Sequence, residues 1–157
     1  MEEKTIVIKY EEYSSYDELP EQERELVLAA VEARGGAYAP YSHYRVGAAV
    51  RLDDGQIVKG SNQENAAYPS GLCAERTAMF AASAQHPGRK LRAIAIVCGA
   101  GEEPQEKPGS PCGACRQVMA QYERESGAKM RILLSGRSKV LAFTGVDSLM
   151  PLVFDDL

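Results

Sequence analysis

The stretch "LRAIAIVCG" (Leu91–Gly99) is apolar along almost its whole length. Successive side chains of a strand point to opposite faces, so a strand with one wet face alternates polar and apolar residues; this one has no polar face to offer water. It requires cover on both sides. Flanking segments supply it: "EQERELVLAAVEARGGAY" reads as a helix closed by Gly35–Gly36, and "CAERTAMFAASAQHPG" (Cys73–Gly88) as an Ala-rich helix ended by Pro87–Gly88. A third helix is expected from about Gly113 through Ser126. "TIVIKYEEY" (Thr5–Tyr13) has strand content, "RVGAAVRLDDGQIVKGSN" reads as two strands turning at Asp54–Gly55, and further strands fall near "MRILLSG" and "KVLAFTG". "AGEEPQEKPGSP" reads as a loop and "VDSLMPLVFDDL" as a short C-terminal piece. Strands interleaved with helices make the chain α/β, with helices against one mostly parallel or mixed sheet.

With 157 residues and no internal repeat or linker, the expectation is a single domain over 1–157. A domain of this size buries roughly 68–70 % of its unfolded surface and needs no disulfide staples. Eighteen Lys plus Arg against 22 Asp plus Glu leave a net charge of −4, with the basic residues scattered. A nucleic-acid partner usually demands a basic stripe, so a small neutral ligand is the better expectation. "MEEKTIVIKYEEY" lacks the basic start and long apolar stretch of a secretory signal, and no apolar run reaches membrane-spanning length. Four cysteines without an export signal point to a reducing cytoplasm.

The chemistry lies in two cysteine segments. "SPCGACRQ" (Ser110–Gln117) places Cys112 and Cys115 three apart, a spacing shared by redox pairs and structural zinc clips. "CAER" adds Cys73 two residues before Glu75, also at a helix start. First turns of two helices can bring such groups to one point. Three protein ligands with one open position make a catalytic zinc site, whereas four closed ligands make a structural one. Cys98 is the competing fourth ligand, although its apolar surroundings suit a small buried hydrophobe. Helix N-termini and the guanidinium groups of Arg76 and Arg116 offset thiolate charge, Arg76 being the better placed and the role of Arg116 staying open. Glu75 beside an open zinc is the proton carrier that hydrolysis needs, and zinc of this kind lowers the pKa of water toward about 7. Three cysteines beside a non-ligating Glu match a known zinc-deaminase pairing.

"YSHYRVGAAV", "GSNQENAAYPSGLCAERTAMF" and "SPCGACRQVM", in that order, resemble the small homotetrameric cytidine deaminases from about Ala37 to the C-terminus. The resemblance implies a three-layer αβα sandwich with a five-stranded mixed sheet and one zinc per subunit on Cys73, Cys112 and Cys115. It implies Glu75 as proton shuttle in hydrolytic deamination of cytidine or deoxycytidine, a step of pyrimidine salvage. Asn62 and Glu64 match ribose-binding positions, and alternation on an extended segment puts both on one face. Tyr44 falls where the family commonly has Phe against the pyrimidine. The Ser110 carbonyl matches the acceptor of the departing amino group. Phe154 and Tyr68 match residues that reach a neighbouring subunit's site. The chain departs from the pattern in an N-terminal extension (1–20), a longer loop at Ala100–Gly109, and Gln63 in place of a more common apolar residue. His43 and His86 are expected at the surface or in caps.

Three rival readings remain. A deaminase of a modified cytosine nucleoside such as blasticidin S uses the same chemistry, but "NQEN" favours an ordinary nucleoside. A nucleic-acid deaminase usually carries His in place of Cys73. A zinc-stabilised binding module would turn nothing over.

Overall fold

Six strands form one sheet in the computed structural model, which describes residues 1–154. They are β1 (Glu11–Tyr13), β2 (Arg45–Leu52), β3 (Ile57–Ser61), β4 (Leu91–Gly99), β5 (Arg131–Ser135) and β6 (Val140–Thr144), in the spatial order β1-β6-β5-β4-β2-β3. Only β4 and β5 run parallel, joined by a crossover through a helix; every other pair is antiparallel, so the sheet is mixed. The helices are α1 (Glu21–Ala33), α2 (Ala74–Gln85) and α3 (Gly113–Ser126).

The apolar run at β4 divides between two cores. Ile94 and Ile96 pack with Ala74, Ala78 and Met79 of α2 and with Cys115 and Met119 of α3. Ala95 and Val97 pack with Leu26, Val27 and Ala30 of α1. Two cores on opposite faces give the expected three layers, and each fully buried Ile or Leu contributes roughly 1.5–3 kcal/mol. Between β3 and α2 the approach is closest at Gly60, where a Cβ would collide with the Ala78 amide. This contact seats the start of α2 against the sheet.

The expectation of five strands is corrected: among the described residues the sheet has six. The additional strand is β1, from the N-terminal extension, and it pairs with the outer edge of β6 in the register Glu12↔Leu141. Charge holds it there. Arg131 on β5 binds Glu23 of α1 (Nε to Oε1, 2.9 Å) and Glu11 of β1, and Lys139 reaches Glu12 at 2.8 Å. The strand is also shorter than the Thr5–Tyr13 segment, because β6 ends at Thr144 and leaves residues before Lys9 with no strand opposite. Tyr10 instead lays its ring on Phe143, with centroids 5.3 Å apart.

Candidate metal centre and active site

Both cysteine segments end as helix starts. Cys73 is the N-cap of α2 and Cys112 the N-cap of α3, each in extended conformation. Their carbonyls accept the first helical bonds, from Thr77 N (3.0 Å) and Arg116 N (3.0 Å). Cys115 and Glu75 sit in the first turns of the same two helices. Such positions gather unpaired N–H groups and the positive end of the helix dipole, which favour thiolates.

The Sγ atoms of Cys73, Cys112 and Cys115 all lie within 4.8 Å of one another, and those of Cys73 and Cys112 are 3.8 Å apart. Tetrahedral zinc with Zn–S near 2.3 Å requires sulfurs roughly 3.8 Å apart, so the cluster fits the ion. Arg76 directs Nη2 at Cys73 Sγ from 3.7 Å. Hydrogen bonding from Cys115, then from Arg76 and Cys112, lowers the Cys73 pKa to about 5. Cys115, completely buried, is shifted the opposite way by its bond to Cys73 and by burial. Sulfurs this close cannot all carry charge without a cation among them, and a dication would relieve that repulsion.

Glu75 is 5 % exposed, and burial pushes its carboxyl above the ordinary range, with the Cys73 charge adding to the shift. Its side chain lines a cleft of about 710 Å³ that also exposes Cys73 and Cys112. Tyr44, Asn62, Glu64, Tyr68, Arg76 and Ser110 line the same cleft. Thus nearly all the residues singled out from the sequence converge on one cavity. Phe154 is outside it: the residue is 66 % exposed, and its carbonyl accepts a bond from Gln117 Nε2 at 2.7 Å.

Asn62 and Glu64 face the cleft while already gripping the chain opposite. Asn62 accepts from Val46 N and donates to Tyr44 O, both at 2.8 Å. Glu64 Oε2 accepts from Tyr41 N (2.9 Å) and Ser42 N (3.2 Å), and Oε1 from the Ser42 hydroxyl. These bonds, the Ser42 hydroxyl foremost, hold the Glu64 carboxyl below its usual range. The pair therefore fixes the 41–46 segment and keeps one Asn62 N–H and free carboxylate lone pairs for a ligand. The turn they fix includes His43, in the left-handed region at φ 55°.

Arg116 proves to be an organiser. Its guanidinium binds Pro111 O (2.9 Å), Leu149 O (2.6 Å) and Ser110 Oγ (2.9 Å), tying α3 to the segment that delivers Cys112. Sequence reasoning left this role open because two of the acceptors are backbone carbonyls, which carry no residue signature. Cys98 is 3 % exposed and is not a member of the sulfur cluster. Cys98→Ser is expected to retain one zinc per chain by metal analysis; loss of zinc would mean that a fourth thiolate closes the site.

A three-layer α/β fold that presents three thiols and a buried Glu from two helix starts defines a zinc-binding deaminase domain. A sequence profile described as "Cytidine and deoxycytidylate deaminase zinc-binding region" matches residues 20–127. The chain is 48 % identical to a cytidine deaminase of Halalkalibacterium halodurans over 97 residues, 61 % of this chain and 68 % of the relative. It is 40 % identical to that of Sporosarcina psychrophila over 129 residues, covering 82 % and 88 %. The crystal structure of cytidine deaminase from Burkholderia pseudomallei superposes with a TM-score of 0.70 at 40 % identity, over 83 % of this chain and 97 % of that one. The chain belongs to the cytidine deaminase family.

Proposed function

We propose that the cleft binds cytidine and deoxycytidine and that the chain hydrolyses them to uridine and deoxyuridine with release of ammonia. The observation that carries this reading is the meeting of the three thiols with buried Glu75 at the cleft. When bound, zinc supplies the Lewis acidity that makes water nucleophilic near neutral pH.

Residues of the chain do the rest. Glu75 takes a proton from the attacking water and delivers it to N3 of the pyrimidine, which turns the ring into a better electron sink as the water oxygen bonds to C4. The second water proton then follows to the amino group, the C4–N bond breaks, and ammonia leaves. A carboxyl whose pKa is raised by burial suits this two-way traffic. Ser110, at the cleft and anchored by Arg116, offers its carbonyl to the departing amino group. Tyr44 gives the base a flat face, and Asn62 with Glu64 takes the ribose hydroxyls through their unused N–H and lone pairs. Arg76 steadies the Cys73 thiolate. An ordinary nucleoside is favoured over a modified one because both sugar-binding candidates face the cleft.

Assembly as a homotetramer with shared sites is part of the same reading. Tyr68, 78 % exposed, stacks edge-on with Tyr41 at the cleft, and Phe154 is exposed away from its own cleft. Both are free to meet a neighbouring copy. No helix among the described residues is long and apolar enough to cross a membrane. A cytoplasmic enzyme of pyrimidine salvage is the setting we infer, and the basic residues show no run suited to nucleic acid.

The test is ammonia release by zinc-loaded protein given cytidine, deoxycytidine, adenosine or free cytosine. Turnover of the first two alone is expected, and specific activity is expected to fall on dilution as subunits part. Turnover confined to cytosine or adenosine would overturn the assignment, and a fully active dilute monomer would overturn the shared site.

A further inference from the structure

The segment between β4 and α3 contains no helix or strand, yet it is pinned along its length. Arg34, 4 % exposed just after α1, directs Nη1 to Glu102 O (2.6 Å) and Nη2 to Gly99 O (3.0 Å), Glu103 O (3.0 Å) and Gly101 O. A guanidinium suits such a ring of carbonyls because its donors fan out in one plane. From the other side, the β5–β6 turn donates Arg137 N to Gln105 O (3.0 Å) and Ser138 N to Glu106 O (3.1 Å). At its far end, Gly109 lies so close over Cys98 Sγ that a Cβ has no room.

Gln105 is the centre of this segment, and its amide has a fixed sense. Gln105 N donates to Cys98 O (2.9 Å) and Nε2 donates to Lys107 O (2.8 Å), which leaves Oε1 to accept the Tyr44 hydroxyl at 2.8 Å. A phenol is protonated at neutral pH and so can donate here; burial, and then the neighbouring Cys98, raise the Tyr44 pKa further.

We propose that Gln105 is a positioning residue for nucleoside affinity: it pins the tip of Tyr44 and so holds that ring as a preformed wall of the cleft, on a loop that Arg34 fixes in place. The proposal rests on the reading of the cleft as the nucleoside site. A Tyr side chain turns about two torsions, and a bond at its tip removes both freedoms before the ligand arrives. A wall that meets substrate and transition state alike changes KM and leaves kcat.

The experiment measures KM and kcat for cytidine and Kd for uridine in Gln105→Met, Gln105→Glu, Tyr44→Phe and the double variant Tyr44→Phe with Gln105→Met. Gln105→Met, which unmakes the half-buried bond to Tyr44 together with the exposed one to Lys107 O, is expected to raise KM and the uridine Kd by about fivefold to tenfold, with kcat within about twofold. Gln105→Glu keeps an acceptor for the Tyr44 hydroxyl but loses the Nε2 donor to Lys107 O, so its KM is expected to fall between those of the parent and of Gln105→Met. The double variant is expected to stay within about twofold of Gln105→Met, because the hydroxyl it removes has already lost its Gln105 partner. An unchanged KM in Gln105→Met, single effects that multiply in the double variant, or a fall in kcat with loss of zinc would each overturn the proposal. Should Gln105→Met fail to fold, Tyr44→Phe must show the same rise in KM with kcat kept, and its absence overturns the proposal. Glu75→Gln separates the premises: undiminished turnover there sinks the cleft reading, whereas loss there with unaltered Gln105 variants sinks the positioning role alone.

Discussion

Glu75→Gln is expected to lower kcat for cytidine by about 10²- to 10⁴-fold, the usual worth of a general acid–base group, while zinc content and thermal unfolding stay at parental levels. Gln keeps the length of the side chain and can still hydrogen bond, but it cannot take a proton from water and pass it to N3. Stability should survive for a reason visible in the site. Glu75 is almost wholly buried, and burial already favours its uncharged form, so a neutral amide asks for no new desolvation. A merely structural carboxylate at the start of α2 predicts the reverse: a lower unfolding temperature with turnover kept. Steady-state kinetics beside metal analysis and a melting curve distinguish the two, and turnover within tenfold of the parent would remove Glu75 from the mechanism.

The place of Glu75 beside Cys73 is legible in the sequence because its signal is local. A Cys two residues away at a helix start fixes the relation of the two side chains, and α2 begins at Ala74 with Cys73 capping it. The same holds for α3, whose bounds Gly113–Ser126 follow from the CxxC at one end and Gly127 at the other. β4 was legible through its unbroken apolarity, since both its faces are covered. What escaped depends on distant partners. β1 is a strand only where β6 lies opposite and Arg131 supplies charge, so pattern alone could not say that three residues of the extension pair and the rest do not. Arg34, Arg116 and Gln105 bind backbone carbonyls, and a carbonyl is the same in every residue. The alternation of Asn62 and Glu64 correctly put both toward the cleft, but their bonds to the 41–46 segment arise from tertiary structure.

Removing a ligand to the metal should cost still more than removing the proton carrier. Cys112→Ser is the sharpest form of this change because Cys112 is exposed at the cleft, so loss of its thiol leaves no cavity in the core. The expected protein is folded, holds far less than one zinc per chain after dialysis, and turns cytidine over at least about 10³-fold more slowly, equivalent to the several kcal/mol of charge stabilisation a bound divalent ion supplies. Cys115→Ser should lose zinc as well but also unfold at lower temperature, since Cys115 is completely buried against the α2–α3 core. Chelation of the unmutated protein should reproduce the Cys112→Ser activity, and added zinc should restore the unmutated protein alone. The contrast separates a catalytic site from a structural clip: in a clip both substitutions destabilise the fold equally, whereas in an open site the exposed sulfur governs activity and the buried one governs both. Cys112→Ser protein that keeps one zinc per chain and parental turnover would show that the ion is held elsewhere.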